Sequence, residues 1–284
     1  MLVAAVVLIT LGIRHSPAVK TGAAKSGAAQ APTPGSHQIT AETAVRAAAV
    51  TWVTGQVGHD IFIACDTVVC SDLAQHGFPA GNLNVLQPTT PDPYGSELVI
   101  ATADVRSEFG SKLAAVYAPE VIASFGTGTD RIDVRVIAPH GPAAFQAALR
   151  ADLQTRKSSG AQLLRNHKIL LSATARRQLA AGQVDERLLT IIAFMAAGRP
   201  LDIVGFGSVA PGATPSVPLR FADLAVTDAA AHMPSHAYER ALTALARSEV
   251  APYVPLSVGT VRLADGQTVL RIEFAAPSPV GLPS

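Results

Sequence analysis

The sequence is poor in aromatic residues, in cysteine and in net charge. Aromatic residues make up 5% of the 284 residues and hydrophobic ones 49%. The apolar content is therefore mostly small side chains, which favours a globular core over a membrane bundle. The formal net charge is +1, and the lysines and arginines are scattered among nearly as many acids. No nucleic-acid partner is expected, because capture of phosphates needs several cations on one face.

Long hydrophobic runs are also missing, except at the N-terminus, where residues 2–13 are uniformly apolar. This run has the length of a signal-peptide core, is short of the roughly 20 residues of a spanning helix, and has no basic stretch before it. Additional upstream residues would supply both the missing length and the missing basic stretch. The alternative is a buried strand or helix of the globular body, but residues 16–39 are rich in Ala, Gly, Ser and Pro and are typical of a flexible linker. We therefore predict a signal or anchor segment at residues 1–15, with the cytoplasmic membrane as its partner.

Strand-like and helix-like patterns alternate in the first half of the body. The short apolar runs 61–65, 83–86 and 98–101 are typical of buried strands. Helices are predicted at 66–76, which ends before a glycine, and at 104–116. This alternation predicts an α/β fold in which a mixed, mostly parallel sheet is flanked by helices.

Two hairpins are predicted at the margins of this sheet. The runs 121–125 and 132–138 are joined by GTGTD, whose glycines suit a turn with positive φ. The runs 256–263 and 269–274 flank the pair Asp265-Gly266, which favours a type I′ turn. Antiparallel strands are therefore expected at the edges.

The body divides naturally near residue 158. A helix is predicted at 142–157, and the KSSG sequence after it is a candidate boundary. We accordingly predict one α/β lobe at 40–158, a second at 159–276 that ends in the hairpin, and a tail at 277–284.

The two cysteines, Cys65 and Cys70, flank the start of a predicted helix. If Asp66 is its N-cap, the cysteines occupy the two positions that touch in a hydrophobic staple. A structural disulfide is the leading interpretation, and it is typical of an oxidising compartment. Buried free thiols and a redox dithiol are the alternatives, but redox motifs place two residues between the cysteines, and here there are four. A metal site is not expected, since two thiolates do not complete one.

Two carboxylates form the candidate site. Asp66 follows the run 61–65 and Asp104 follows the run 98–101, so parallel strands would bring both side chains into one crevice. Such a pair could bind a cation or act as acid and base. The alternative is that each aspartate only caps its helix.

Other catalytic and cofactor signatures are missing. The chain has no G-x-S-x-G nucleophile motif. His232 and His236 are four residues apart, but Pro234 between them disfavours a metal-binding helix face. No cofactor and no metal are expected.

Two long phrases carry a resemblance to a known family. TWVTGQVGHDIFIACDTVVCSDLAQHGFPAGNLNVL and SATARRQLAAGQVDERLLTIIAFMAAGRPLDIVGFG resemble uncharacterised membrane-anchored or exported proteins of high-GC actinobacteria, a family without an assigned activity. Part of the second phrase is also similar to the lead-in of exported modules related to cell-wall peptidases. Those modules continue into a His- and Asp-bearing metal motif, whereas this chain continues into SVAPGATPSVP. The resemblance implies an extracytoplasmic setting.

These observations predict a membrane-tethered, extracytoplasmic protein of the cell envelope. The leading hypothesis is a non-catalytic module that binds a cell-wall component or a protein partner. The alternative is an enzyme-like domain, either a degenerate cell-wall hydrolase or a glycosyltransferase-associated domain, that uses the crevice near Asp66 and Asp104.

Overall fold

The computed structural model describes residues 34–87, 92–228, 233–234 and 236–281, and it contains seven α-helices and two five-stranded sheets within those ranges. The helices are α1 (Pro34–Gln56), α2 (Thr67–Gln75), α3 (Ala103–Phe109), α4 (Pro142–Arg165), α5 (Ala173–Ala180), α6 (Glu186–Gly198) and α7 (His236–Arg247). The strands are β1 (Ile63–Cys65), β2 (Leu83–Val85), β3 (Leu98–Ala101), β4 (Glu120–Phe125), β5 (Ile132–Val136), β6 (Ile169–Leu171), β7 (Leu201–Gly207), β8 (Phe221–Ala225), β9 (Thr227–Asp228), β10 (Met233–Pro234), β11 (Ser257–Arg262) and β12 (Thr268–Glu273). The predicted α/β class is confirmed.

The first sheet has the order β2-β1-β3-β5-β4. Strand β1 pairs in parallel with β2 and β3, whereas β5 pairs antiparallel with β3 and β4. All four residues of β3 are buried, because Leu98 and Ile100 face one hydrophobic cluster and Val99 and Ala101 face another. A continuous apolar run is required when both faces of a strand are covered, and this explains why the LVIA sequence is a strand.

The second sheet has the order β11-β12-β8-β7-β6. In this sheet β6 and β7 are parallel. The other neighbouring strands, β7–β8, β8–β12 and β11–β12, are antiparallel. The prediction of a mostly parallel sheet was therefore wrong. The connection from β7 to β8 contains no helix, whereas the crossover that joins parallel neighbours is usually helical.

Helix α4 runs without interruption through the KSSG sequence. A Cβ atom on Gly160 would lie 2.6 Å from the backbone oxygen of Leu179, so this glycine serves the close packing of α4 against α5. The proposed boundary at 158/159 therefore lies inside a helix. The second sheet packs on one hydrophobic cluster and the first sheet on two others, and the division into lobes at 40–158 and 159–276 stays a prediction.

Buried polar contacts join the two sheets. Arg220 is 2% exposed and donates to the backbone oxygen of Phe274 at 2.7 Å and to Gln56 Oε1 at 3.1 Å. Its guanidinium also lies over the ring of Trp52, whose Nε1 donates to the oxygen of Val209 at 2.7 Å. Burial lowers the pKa of Arg220 to about 10. Residues far apart in the chain thus fasten α1 to the second sheet.

Two local predictions differ from the structure in detail. Helix α1 begins at Pro34, inside the predicted linker 16–39, and proline fits the first turn because no amide hydrogen is needed there. In the last hairpin, Gly266 has a φ of 87° and donates to the oxygen of Leu263 at 3.0 Å. That pattern belongs to a three-residue loop with a glycine bulge, the next commonest hairpin after the predicted type I′ turn.

The two ends of the chain are described only in part. The predicted segment 1–15 and residues 16–33 of the predicted linker lie outside the described residues, as do residues 282–284 of the predicted tail. Across the described ranges, no helix has the length and hydropathy that crossing a membrane requires.

Candidate functional site

Cys65 and Cys70 form a disulfide at the junction of β1 and α2. Their Cα atoms are 5.5 Å apart, and both residues are buried. Asp66 between them is the N-cap of α2, as the spacing predicts. The predicted disulfide is thus present, and it closes the turn that carries Asp66.

Both carboxylate oxygens of Asp66 are engaged. Oδ1 accepts the Val69 N–H at 2.9 Å, and Oδ2 accepts the Thr102 hydroxyl at 2.6 Å. Thr102 in turn is the N-cap of α3 and accepts the Val105 N–H at 3.4 Å. Asp66 therefore ties the carboxyl end of β1 to the carboxyl end of β3, as a structural capping group does.

Asp104 lies in the first turn of α3, two residues beyond the cap position, which Thr102 occupies. Its side chain is exposed and has no hydrogen bond or ion pair with any described residue. The structure nevertheless brings Asp66 and Asp104 to the same crevice, which has a volume of about 400 Å³. Its lining residues are Glu42, Arg46, Asp66, Val68, Val69, Thr102, Ala103, Asp104, Thr129, Asp130 and Ile132. We call this cavity the Asp66–Asp104 crevice.

The Asp66–Asp104 crevice is acidic, and its one lining cation is already paired. Arg46 contacts Asp72 at 3.1 Å and Glu42 at 3.9 Å. Within the described ranges, no group of three or more His, Cys, Asp or Glu side chains is placed to hold a metal ion. His236 begins α7, and His232 lies outside the described residues. Because Asp66 is committed to capping, Asp104 is the one of the two predicted aspartates that is free to meet a ligand here.

A second and larger cavity, which the sequence did not predict, lies between β4 of the first sheet, helix α4 and the β7–β8 connection of the second sheet. Its volume is about 530 Å³. Its lining residues are Pro119, Glu120, Gln146, Leu149, Arg150, Leu153, Arg156, Ala181, Gly182, Gln183, Thr214, Pro215 and Ser216. We call it the inter-sheet cleft. It is assembled from four separate segments, so no local motif marks it; the one local signal is the recurrence of its α4 residues at helical spacing.

The walls of the inter-sheet cleft carry opposite charges. Burial raises the pKa of Glu120, although a hydrogen bond from Ser216 and the charge of Arg156 oppose the shift. Arg156 is itself buried; it donates to Asp152 at 2.7 Å and to the oxygen of Gly182. Arg150 is exposed and has no ion pair or hydrogen bond with any residue that the structure describes.

Comparisons with protein-family models, with curated proteins and with solved structures found no match to this chain. The resemblance to exported actinobacterial proteins therefore stays a prediction.

Proposed function

We propose that this chain is an extracytoplasmic, membrane-tethered protein of the cell envelope that binds a cell-wall component or a protein partner without catalysis. The observation that carries the location is the Cys65–Cys70 disulfide. Disulfides persist in oxidising compartments and are rare in the cytosol of mesophiles. The apolar run at residues 2–13 would supply the tether.

The engaged carboxylate of Asp66 supports binding over catalysis. A general acid or base needs a carboxyl that can reach a reacting group. Both oxygens of Asp66 already accept hydrogen bonds that hold two helix starts, from the Val69 N–H and the Thr102 hydroxyl. A paired-acid mechanism in this crevice would have to break those bonds.

One observation favours the alternative function, a degenerate cell-wall hydrolase or a glycosyltransferase-associated domain. Asp104 is exposed, unpaired among the described residues, and shares a crevice with Asp66. This alternative predicts that the purified protein releases soluble fragments from peptidoglycan and that Asp104→Asn abolishes the release. The proposed binding role predicts no release above a buffer control.

Fractionation combined with thiol labelling tests the proposed location. The full chain is produced in an actinobacterial host and denatured, because both cysteines are buried in the fold, and a maleimide-linked polyethylene glycol is added before or after reduction. We expect the protein in the membrane fraction, with no labelling until it is reduced. A matched chain that begins at residue 34 should stay in the cytoplasm with both thiols open to labelling. Full-length protein in the cytoplasm with two free thiols would overturn the proposal.

A further inference from the structure

The inter-sheet cleft has the properties of a small-molecule site. Such sites are concave, have volumes of about 300 to 1,000 Å³, and often lie between domains, with few polar groups set in an apolar wall. The cleft has a volume of about 530 Å³ and lies between β4 and the β7–β8 connection, and Leu149, Leu153 and Pro215 supply apolar surface.

Glu120 presents an acceptor on one wall. Its Oε1 accepts the Ser216 hydroxyl at 2.9 Å, and the described residues provide no hydrogen bond to its other oxygen. Water is partly excluded from this carboxyl, and a partly desolvated carboxylate with a free oxygen fits an ammonium group, whose hydrogen bond to it is charge-assisted.

Arg150 presents a donor on the wall formed by α4. Its guanidinium has no acidic partner among the described residues, unlike that of Arg156, which lines the cleft further along the helix. A guanidinium binds carboxylates through two parallel hydrogen bonds. The cleft therefore offers a negative and a positive group to one ligand, with apolar surface beside them.

We propose that the inter-sheet cleft binds a small zwitterion of the amino-acid or short-peptide class, with its ammonium group on Glu120 and its carboxylate on Arg150. This ligand class deepens the proposed binding role and rests on it. Its test uses purified protein, so a failure of the location experiment and a failure of this proposal are distinguishable.

Calorimetric titration with alanyl-alanine and two blocked derivatives tests the assignment. N-acetyl-alanyl-alanine lacks the ammonium group, and alanyl-alanine amide lacks the carboxylate. We expect saturable binding of the free dipeptide, about tenfold weaker binding to Glu120→Gln, and about threefold weaker binding to Arg150→Gln, since the arginine is more exposed. Each blocked derivative should lose affinity for the wild-type protein and should be insensitive to the substitution of its own missing partner.

Matched controls lie outside the cleft. Glu108→Gln on α3 and Arg176→Gln on α5 change exposed residues of the same types and should leave binding unchanged. If Glu120→Gln does not fold, the blocked derivatives still test each contact on the wild-type protein. The proposal is overturned if alanyl-alanine shows no saturable binding, if both blocked derivatives bind as well as the free dipeptide, or if the control substitutions weaken binding as much as those in the cleft.

Discussion

Two aspartates, Asp66 and Asp185, begin helices in the two halves of the molecule, and their surroundings differ. Asp66 caps α2 beside a disulfide and is partly exposed. Asp185 caps α6, is 1% exposed, and accepts bonds at 3.0 and 2.7 Å from the guanidinium of Arg187. The junction at Asp66 is held by a covalent bond, and the junction at Asp185 is held by a buried ion pair. We therefore expect the first to depend on redox conditions and the second on pH and on intact charge pairing.

The largest effect is expected from Asp185→Asn, which keeps a capping oxygen but leaves Arg187 charged and buried. Removing one partner of a buried ion pair costs about 3 to 5 kcal/mol. Arg187 also donates to the oxygen of Ala275 at 2.8 Å, so the segment after β12 should loosen as well. Urea denaturation measures the change in the free energy of unfolding.

The double variant Asp185→Asn/Arg187→Met is the matched control, because it removes both charges. It should lose clearly less stability than Asp185→Asn alone. An equal loss in the two variants would mean that the charge pair is not what fastens this junction.

The stability of the junction at Asp185 is expected to fall at low pH. Burial alone would raise the pKa of Asp185, but the charge of Arg187 and the hydrogen bonds outweigh it, and the net pKa lies below the ordinary 3.8. The stability that this carboxylate contributes is therefore present above pH 3.8 and is lost as the pH falls through the lowered value.

Reduction of the disulfide is expected to cause the second largest loss of stability. Closing so small a loop stabilises the fold by about 2 kcal/mol in the chain-entropy model. Dithiothreitol should lower the free energy of unfolding of the wild-type protein by that amount and should leave Cys65→Ala/Cys70→Ala unaffected. If the reductant destabilises both proteins equally, the disulfide is not the fastening element of the first junction.

Glu186→Gln is expected to stabilise the protein by about 1 kcal/mol near neutral pH. Glu186 is 5% exposed, and its Oε2 has no hydrogen-bond partner in the described part of the chain. A buried, unsatisfied charged oxygen is costly. Burial raises the pKa of Glu186 above its ordinary 4.5, and the nearby Asp152 and Asp185 add to the shift while Ser159 opposes it.

The stabilisation expected from Glu186→Gln should depend on pH. Because the folded pKa is raised, the stability from this carboxyl is present below pH 4.5 and is lost as the pH rises through the raised value. The advantage of Glu186→Gln over the wild type should therefore disappear below pH 4.5. Denaturation curves across the acidic range measure it, and a constant difference would contradict the assignment.

The sequence could predict features that depend on neighbouring residues, but not features that depend on residues far apart in the chain. Local signals were sufficient for the β3 strand, for the cap Asp66 and for the disulfide, because each depends on neighbours within a few residues. The continuity of α4 depends on Gly160 meeting the distant Leu179, and the inter-sheet cleft depends on four separate segments. Such contacts arise from tertiary packing and have no local pattern.

The smallest expected changes in the free energy of unfolding are those for the two aspartates of the Asp66–Asp104 crevice. Asp66→Ala removes a cap and should cost about 1 kcal/mol, whereas Asp104→Ala changes an exposed side chain and should stay within about 0.5 kcal/mol. Asp66→Asn keeps an oxygen for the Val69 N–H and should cost less than Asp66→Ala. If Asp104→Ala is as destabilising as Asp66→Ala, Asp104 also holds the helix start. A near-neutral Asp104→Ala would leave this carboxylate without a structural role and would leave Asp66 as the aspartate that holds the two helix starts.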